Sequence, residues 1–109
     1  AVSIALKHKD RLDQAVVFDP SRNELFTASR GNGAQLNDRR MRVSRVTELE
    51  YALLGAGFPF RSHQHMDAWV GTLKEFMLST SGIRRPGSAA LDLAYVAAGR
   101  GALIVLEAG

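Results

Sequence analysis

Apolar and polar positions alternate through the first third of the chain. Val2, Ile4 and Leu6 are separated by smaller or polar neighbours, the period-two pattern of a half-buried strand. "KDRLD" reads as a polar turn, and Ala15 to Phe18 as a second short strand. "DPSRN" is a turn with Pro20 well placed for it, and "ELFTASR" alternates again. Three strands joined by short turns predict an antiparallel meander. "GNGAQLN" is expected as a tight loop or bulge, because Gly31 and Gly33 permit positive φ. Met41 to Val43 could add a short strand, and Ser44 or Thr47 could cap a short helix.

The pattern then changes period. "YALLGAGF" is a continuous apolar run of strand length, as in strands covered on both faces, and "PFRS" ends it. Met66, Trp69, Val70, Leu73, Phe76 and Met77 fall on one helical stripe, with Ser62 as N-cap and Gly82 at the C-terminal end. Ile83 to Arg85 could form an edge strand. Ser88 caps a further helix through "AALDLAYVAAG", closed by Gly99. "ALIVLEAG" fits a buried strand or a buried helix equally, since periodicity does not separate them at this length.

Composition narrows the picture only modestly. A chain of 109 residues with 46% hydrophobic and 23% charged residues is one ordinary globular domain. The net charge of +3 is spread over Lys7, Lys9 and Arg11, over Arg39, Arg40 and Arg42, and over Arg84 and Arg85, with no dense basic block. Absence of cysteine excludes disulfides and thiolate chemistry. No apolar run approaches the roughly 20 residues of a membrane span, and no charged n-region followed by an apolar h-region opens the sequence. The expected location is the cytoplasm. The chain opens in a strand pattern and closes in an apolar run, which suggests a part of something larger.

Candidate chemistry concentrates in "RRPGSAALDLAYVAAGR". A helix start offers unpaired N–H groups and the positive end of the helix dipole. Gly87 lets a ligand approach the backbone, Ser88 adds a hydroxyl, and Arg84 and Arg85 attract an anion. A well-capped helix beside two solvated or interface arginines is the plainer alternative. His63, His65 and Asp67 spell H-x-H-x-D, but residues two apart on a helix diverge, so no metal site is expected there. Gly31, Asn32, Gly33 and Ala34 lack the lysine and serine of a nucleotide-binding loop.

Several stretches together, in order, resemble the inositol monophosphatase family of magnesium-dependent, lithium-sensitive sugar phosphatases. They are "VSIAL", "VVFDPSRNELFTASRGNGAQLN", "GFPF" and "RRPGSAALDLAYVAAGR", and "GALIVLEAG" resembles the helix after the family's W-D-x-A-A motif. The resemblance spans the chain and is closest to bacterial members. It implies the α/β class: a layered α-β-α-β-α sandwich, of which residues 1–109 are one partial domain, its central and C-terminal part. The family's N-terminal helical region, a metal-binding glutamate and the D-P-x-D-G-T-x-N-F motif would lie upstream of Ala1. The W-D motif would fall where Arg100 is followed directly by Gly101, so an omitted segment is expected at that junction.

The implied activity is Mg²⁺-dependent hydrolysis of inositol monophosphate or a related sugar phosphate. Such chemistry needs carboxylates to hold Mg²⁺. Asp10, Asp13, Asp19, Asp38, Asp67 and Asp92 match none of the family's ligands, so the Mg²⁺ ligands and catalytic acids are expected in missing segments. Gly87, Ser88 and Ala89 match the G-S/T-A triplet that contacts substrate hydroxyls. Arg84 and Arg85 fall near the family's dimer interface, so a homodimer is expected, and Asp92 would face solvent or a neighbouring chain. The alternative is a non-catalytic regulatory or binding module of the same fold. Some bacterial relatives are associated with the transcription machinery, which the mild basicity does not oppose. No membrane partner is expected.

Overall fold

The computed structural model describes residues 1–57, 66–84 and 88–101, and the backbone of the strand at 103–105. Two sheets divide the chain. Strands β1 (Val2–His8), β2 (Arg11–Asp19), β3 (Glu24–Ser29), β4 (Gly33–Leu36) and β5 (Arg39–Arg40) form a five-stranded antiparallel meander in sequence order. The predicted three-stranded meander is therefore present, with two more strands than expected.

Turn chemistry explains the difference. Lys9 and Asp10 both adopt positive φ, 52° and 62°, which makes a two-residue hairpin turn, and Arg11–Asp13 join β2 instead of extending the turn. Asn37 and Asp38 do the same at 49° and 66°. This second hairpin pairs Leu36 with Arg39, so β5 precedes the expected strand at Met41–Val43, which is irregular. "GNGAQLN" is not merely a loop: Gly31 at φ 83° turns the chain, and Ala34–Leu36 return along β3. The Asn37 side chain extends that pairing, accepting from the Leu25 N–H at 2.8 Å and donating to the Asn23 carbonyl at 3.3 Å.

A three-stranded parallel sheet follows, ordered β7 (Gly82–Arg84), β6 (Leu53–Ala56), β8 (Leu103–Val105). Its central strand is the continuous apolar run, with Leu54 and Ala56 fully buried. Ser44 and Thr47 cap no α-helix; only a single 3-10 turn forms, at Leu49–Tyr51. Helix α1 (Met66–Ser79) links β6 to β7, and α2 (Ala89–Ala97) links β7 to β8. Trp69 is the buried anchor of α1, while Val70 and Met77 from the same stripe are exposed. Helix α1 stops at Ser79, so Gly82 begins β7 rather than capping the helix. Ser81 instead ties the two ends of this unit, donating from its N–H and hydroxyl to the Ala52 carbonyl at 3.1 and 2.8 Å.

Residues 103–105 form a strand beside β6 rather than the helix implied by the resemblance.

The antiparallel sheet has two unlike faces. Register places Val17, Phe26 and Leu36 on one face, with Asp19 and Glu24. This face receives α2: Phe26, 3% exposed, meets Tyr95 with ring centroids 6.0 Å apart. The opposite face carries Val2, Ile4, Leu6 and Leu25, all exposed.

Candidate functional site

The carboxyl edge of a parallel sheet is where ligands of α/β folds usually bind, because strands end and helices begin there. Here that edge is made by the end of β7 and the start of α2. Arg84 is the last residue of β7 and is exposed; Ser88 and Ala89, also exposed, open α2. Arg85 and Gly87 lie outside the described residues, as do Ser62, His63 and His65.

Ser88 departs from expectation. Its φ of 55° and ψ of 104° are far from those of an ordinary N-cap, and its side chain makes no capping hydrogen bond. The Ser88 carbonyl does accept from the Asp92 N–H at 3.0 Å, so the helix starts properly. Among the described residues, the hydroxyl therefore does not cap the first-turn N–H groups. Backbone held in a sparsely populated region costs on the order of 1–3 kcal/mol, and such strain clusters at active sites, ligand clamps and switch regions.

The other end of α2 is firmly seated. Gly99, at φ 80°, closes the helix: its N–H donates to the Val96 carbonyl at 3.1 Å and the Arg100 N–H to the Tyr95 carbonyl at 2.9 Å. A Cβ on Gly99 would lie 2.9 Å from the Arg42 carbonyl oxygen, so only glycine allows this approach. The Tyr95 hydroxyl accepts from Arg22 Nη1 at 2.7 Å. The guanidinium carbons of Arg22 and Arg100 stand 5.8 and 5.1 Å from the Tyr95 ring centroid. Arg100 also grips the Glu24 carboxylate with both terminal nitrogens, one bond measuring 2.8 Å. That grip holds the Glu24 carboxyl below its usual range. Sequence reasoning missed this cluster because its partners are 73 and 76 residues apart and no local pattern joins them.

Asp92 also departs from expectation. It was expected to face solvent or a neighbouring chain, yet it is only 4% exposed. Its Oδ1 accepts no hydrogen bond among the described residues, and desolvation pushes its carboxyl up. Helical geometry accounts for this: Asp92 is flanked on α2 by Leu91 and Leu93, and Leu93 takes the exposed position instead. The other buried acid, Asp19, is committed to its turn, where it accepts from the Ser21 hydroxyl and N–H at 2.7 and 3.1 Å. Those bonds hold its carboxyl below the usual value.

A catalytic magnesium site needs several converging oxygen donors. Among the described residues, no three histidine, aspartate or glutamate side chains come together. Asp19 is engaged by Ser21, and Asp92 belongs to no such acidic or histidine cluster among the described residues. Arg39, Arg40 and Arg42 line a shallow groove with Asn37, Glu24 and Ala98, and among the described residues no carboxylate pairs with any of the three. Among the described residues, no helix is long and apolar enough to cross a membrane.

Comparison with known proteins agrees with the fold. The chain is 54% identical to Nus factor SuhB of Pseudomonas aeruginosa over 127 aligned positions, covering all of this chain and 47% of that protein. The crystal structure of extragenic suppressor protein suhB from Bartonella henselae superimposes with a TM-score of 0.86 at 46% identity, over 91% of this chain and 38% of that one. The inositol monophosphatase from Anabaena superimposes with a TM-score of 0.83 at 39% identity, over 91% and 40%. The chain thus spans about half the length of the curated relatives it matches. The profile of the inositol monophosphatase family matches residues 1–109. Taken with the two-sheet α/β architecture, this makes the chain a member of the inositol monophosphatase family, of whose fold it holds a part.

Proposed function

We propose that this stretch serves a Mg²⁺-dependent phosphomonoester hydrolase acting on inositol monophosphate or a related sugar phosphate. The observation that carries the reading is the family match along the whole chain, joined to an α2 start whose serine makes no side-chain capping bond. In this reading Gly87, Ser88 and Ala89 meet the hydroxyls of the sugar ring. The helix start orients the ring through backbone N–H groups, and Arg84 and Arg85 attract the phosphate or serve the interface of a homodimer. Mg²⁺ would be held by acids in the portion of the relatives that this chain does not span.

One such portion has a proposed place. The alignment to the Pseudomonas relative runs over 127 positions against 109 residues here, a difference of 18. We place the omitted stretch between Arg100 and Gly101, where the family's W-D motif belongs. Reading the gene across those codons tests it: an uninterrupted Arg-Gly junction would refute the placement.

A second reading is favoured by the name Nus factor carried by the Pseudomonas relative: a regulatory module tied to transcription. Phosphate release from inositol 1-phosphate by the full natural gene product, with and without Mg²⁺, separates the two. Turnover that requires Mg²⁺ supports the hydrolase; none at any Mg²⁺ concentration favours the regulatory module.

A further inference from the structure

Helix α2 works as a short lever. Nine residues at about 1.5 Å rise each make it about 13 Å long, so a tilt of about 5° at one end moves the other by about 1 Å. A shift of that size at the Ser88 end would displace the groups that meet the substrate. Its two ends are held very differently. At Ser88 there is no side-chain cap and the backbone is unfavourable. At the far end, Tyr95 is bonded to Arg22, approached by both Arg22 and Arg100, and stacked at an angle on buried Phe26. Arg100 is in turn fixed by Glu24 on β3. Arg22, Glu24 and Phe26 all belong to the β2–β3 hairpin, so one hairpin sets the inclination of α2.

We propose that Tyr95, clamped by Arg22 and by the Arg100–Glu24 pair, is a positioning residue that sets where the Ser88 end of α2 meets substrate. The proposal rests on reading that end as substrate-facing. Tyr95 touches no substrate; it acts through the helix. Charge-assisted bonds and cation–π contacts suit the role, because they are directional where apolar burial is not.

Tyr95→Phe keeps the ring and both guanidinium approaches but loses the bond to Arg22. Tyr95→Leu loses all three. In the full natural gene product acting on inositol 1-phosphate with Mg²⁺, KM should rise about tenfold for Tyr95→Leu and about twofold for Tyr95→Phe, with kcat changing less than KM. A lowered Tm with wild-type KM and kcat would mean a purely structural role and overturn the proposal. Should Tyr95→Leu fail to fold, Tyr95→Phe and Arg22→Met carry the same comparison. If the unmodified protein releases no phosphate, the hydrolase reading fails on its own. Hydrogen exchange at the Asp92 amide, bonded to the Ser88 carbonyl, then decides. Faster exchange in the variants upholds the lever, and unchanged exchange overturns it.

Discussion

At Ser88, conformation and chemistry pull apart. The positive φ is a cost that glycine would not carry, whereas the hydroxyl is what the proposed site would use. Ser88→Gly is therefore expected to stabilise the fold by about 1 kcal/mol in denaturant titration while raising the KM of the proposed hydrolase. Asp92 gives a second prediction at this scale. Its carboxyl is raised by burial, so the folded state holds the proton more tightly than the unfolded state. Its contribution is then fully present below the unfolded carboxylate pKa and is lost as pH rises through the raised folded value. Asp92→Asn should leave stability unchanged in acid and increase it at neutral pH, flattening this part of the pH profile of Tm. Asp19 and Glu24 act in the opposite sense: their lowered values add stability above the unfolded pKa that is lost as pH falls. The start of α2 and its glycine end were legible from local patterns. The environment of Asp92 was not, because a charged residue amid alanine and leucine reads as a solvent position unless the packing around it is known.

At the scale of elements, α2 is the piece that joins the two sheets. It lies on the Phe26 face of the antiparallel meander and runs into β8 of the parallel sheet. Its seat depends on Gly99, where a side chain would meet backbone rather than a yielding side chain. Gly99→Ala combines about 1 kcal/mol of left-handed strain with a contact that forces the 42–44 segment or the helix to shift. A loss of at least about 2 kcal/mol is expected in urea unfolding, with the free energy falling and the m-value unchanged. The strand β6 was readable because a continuous apolar run needs cover on both faces. The extra strands β4 and β5 were not, because they depend on paired positive-φ residues at Asn37 and Asp38 and on the Asn37 side chain bridging to β3.

For the whole molecule, the two faces of the meander matter most. One is covered by α2; the other displays Val2, Ile4, Leu6 and Leu25. Ile4 is 62% exposed, so Ile4→Ser should change the stability of the 109-residue chain by less than about 0.5 kcal/mol. The same change should visibly reduce binding of a fluorescent apolar dye, since contiguous exposed apolar surface is what such dyes report. A large loss of stability would show instead that this face is already covered. Among the described residues the buried core consists of Phe26, Leu54, Trp69 and the alanines Ala52, Ala56 and Ala94. The chain spans about half the length of the curated relatives it matches, and among the described residues no three metal-ligating side chains come together.

Periodicity alone determined the meander, the buried strand, the two helices and the glycine that ends α2, because these are set by neighbours a few residues apart. The family was equally legible, carried by several stretches in order rather than by any one of them. Only the tertiary structure decided that Asp92 is buried, that residues 103–105 lie beside β6 as a strand, and that Arg22, Glu24, Tyr95 and Arg100 meet. Those outcomes depend on contacts between residues far apart in sequence, whose energies exist only once the sheets and helix have come together.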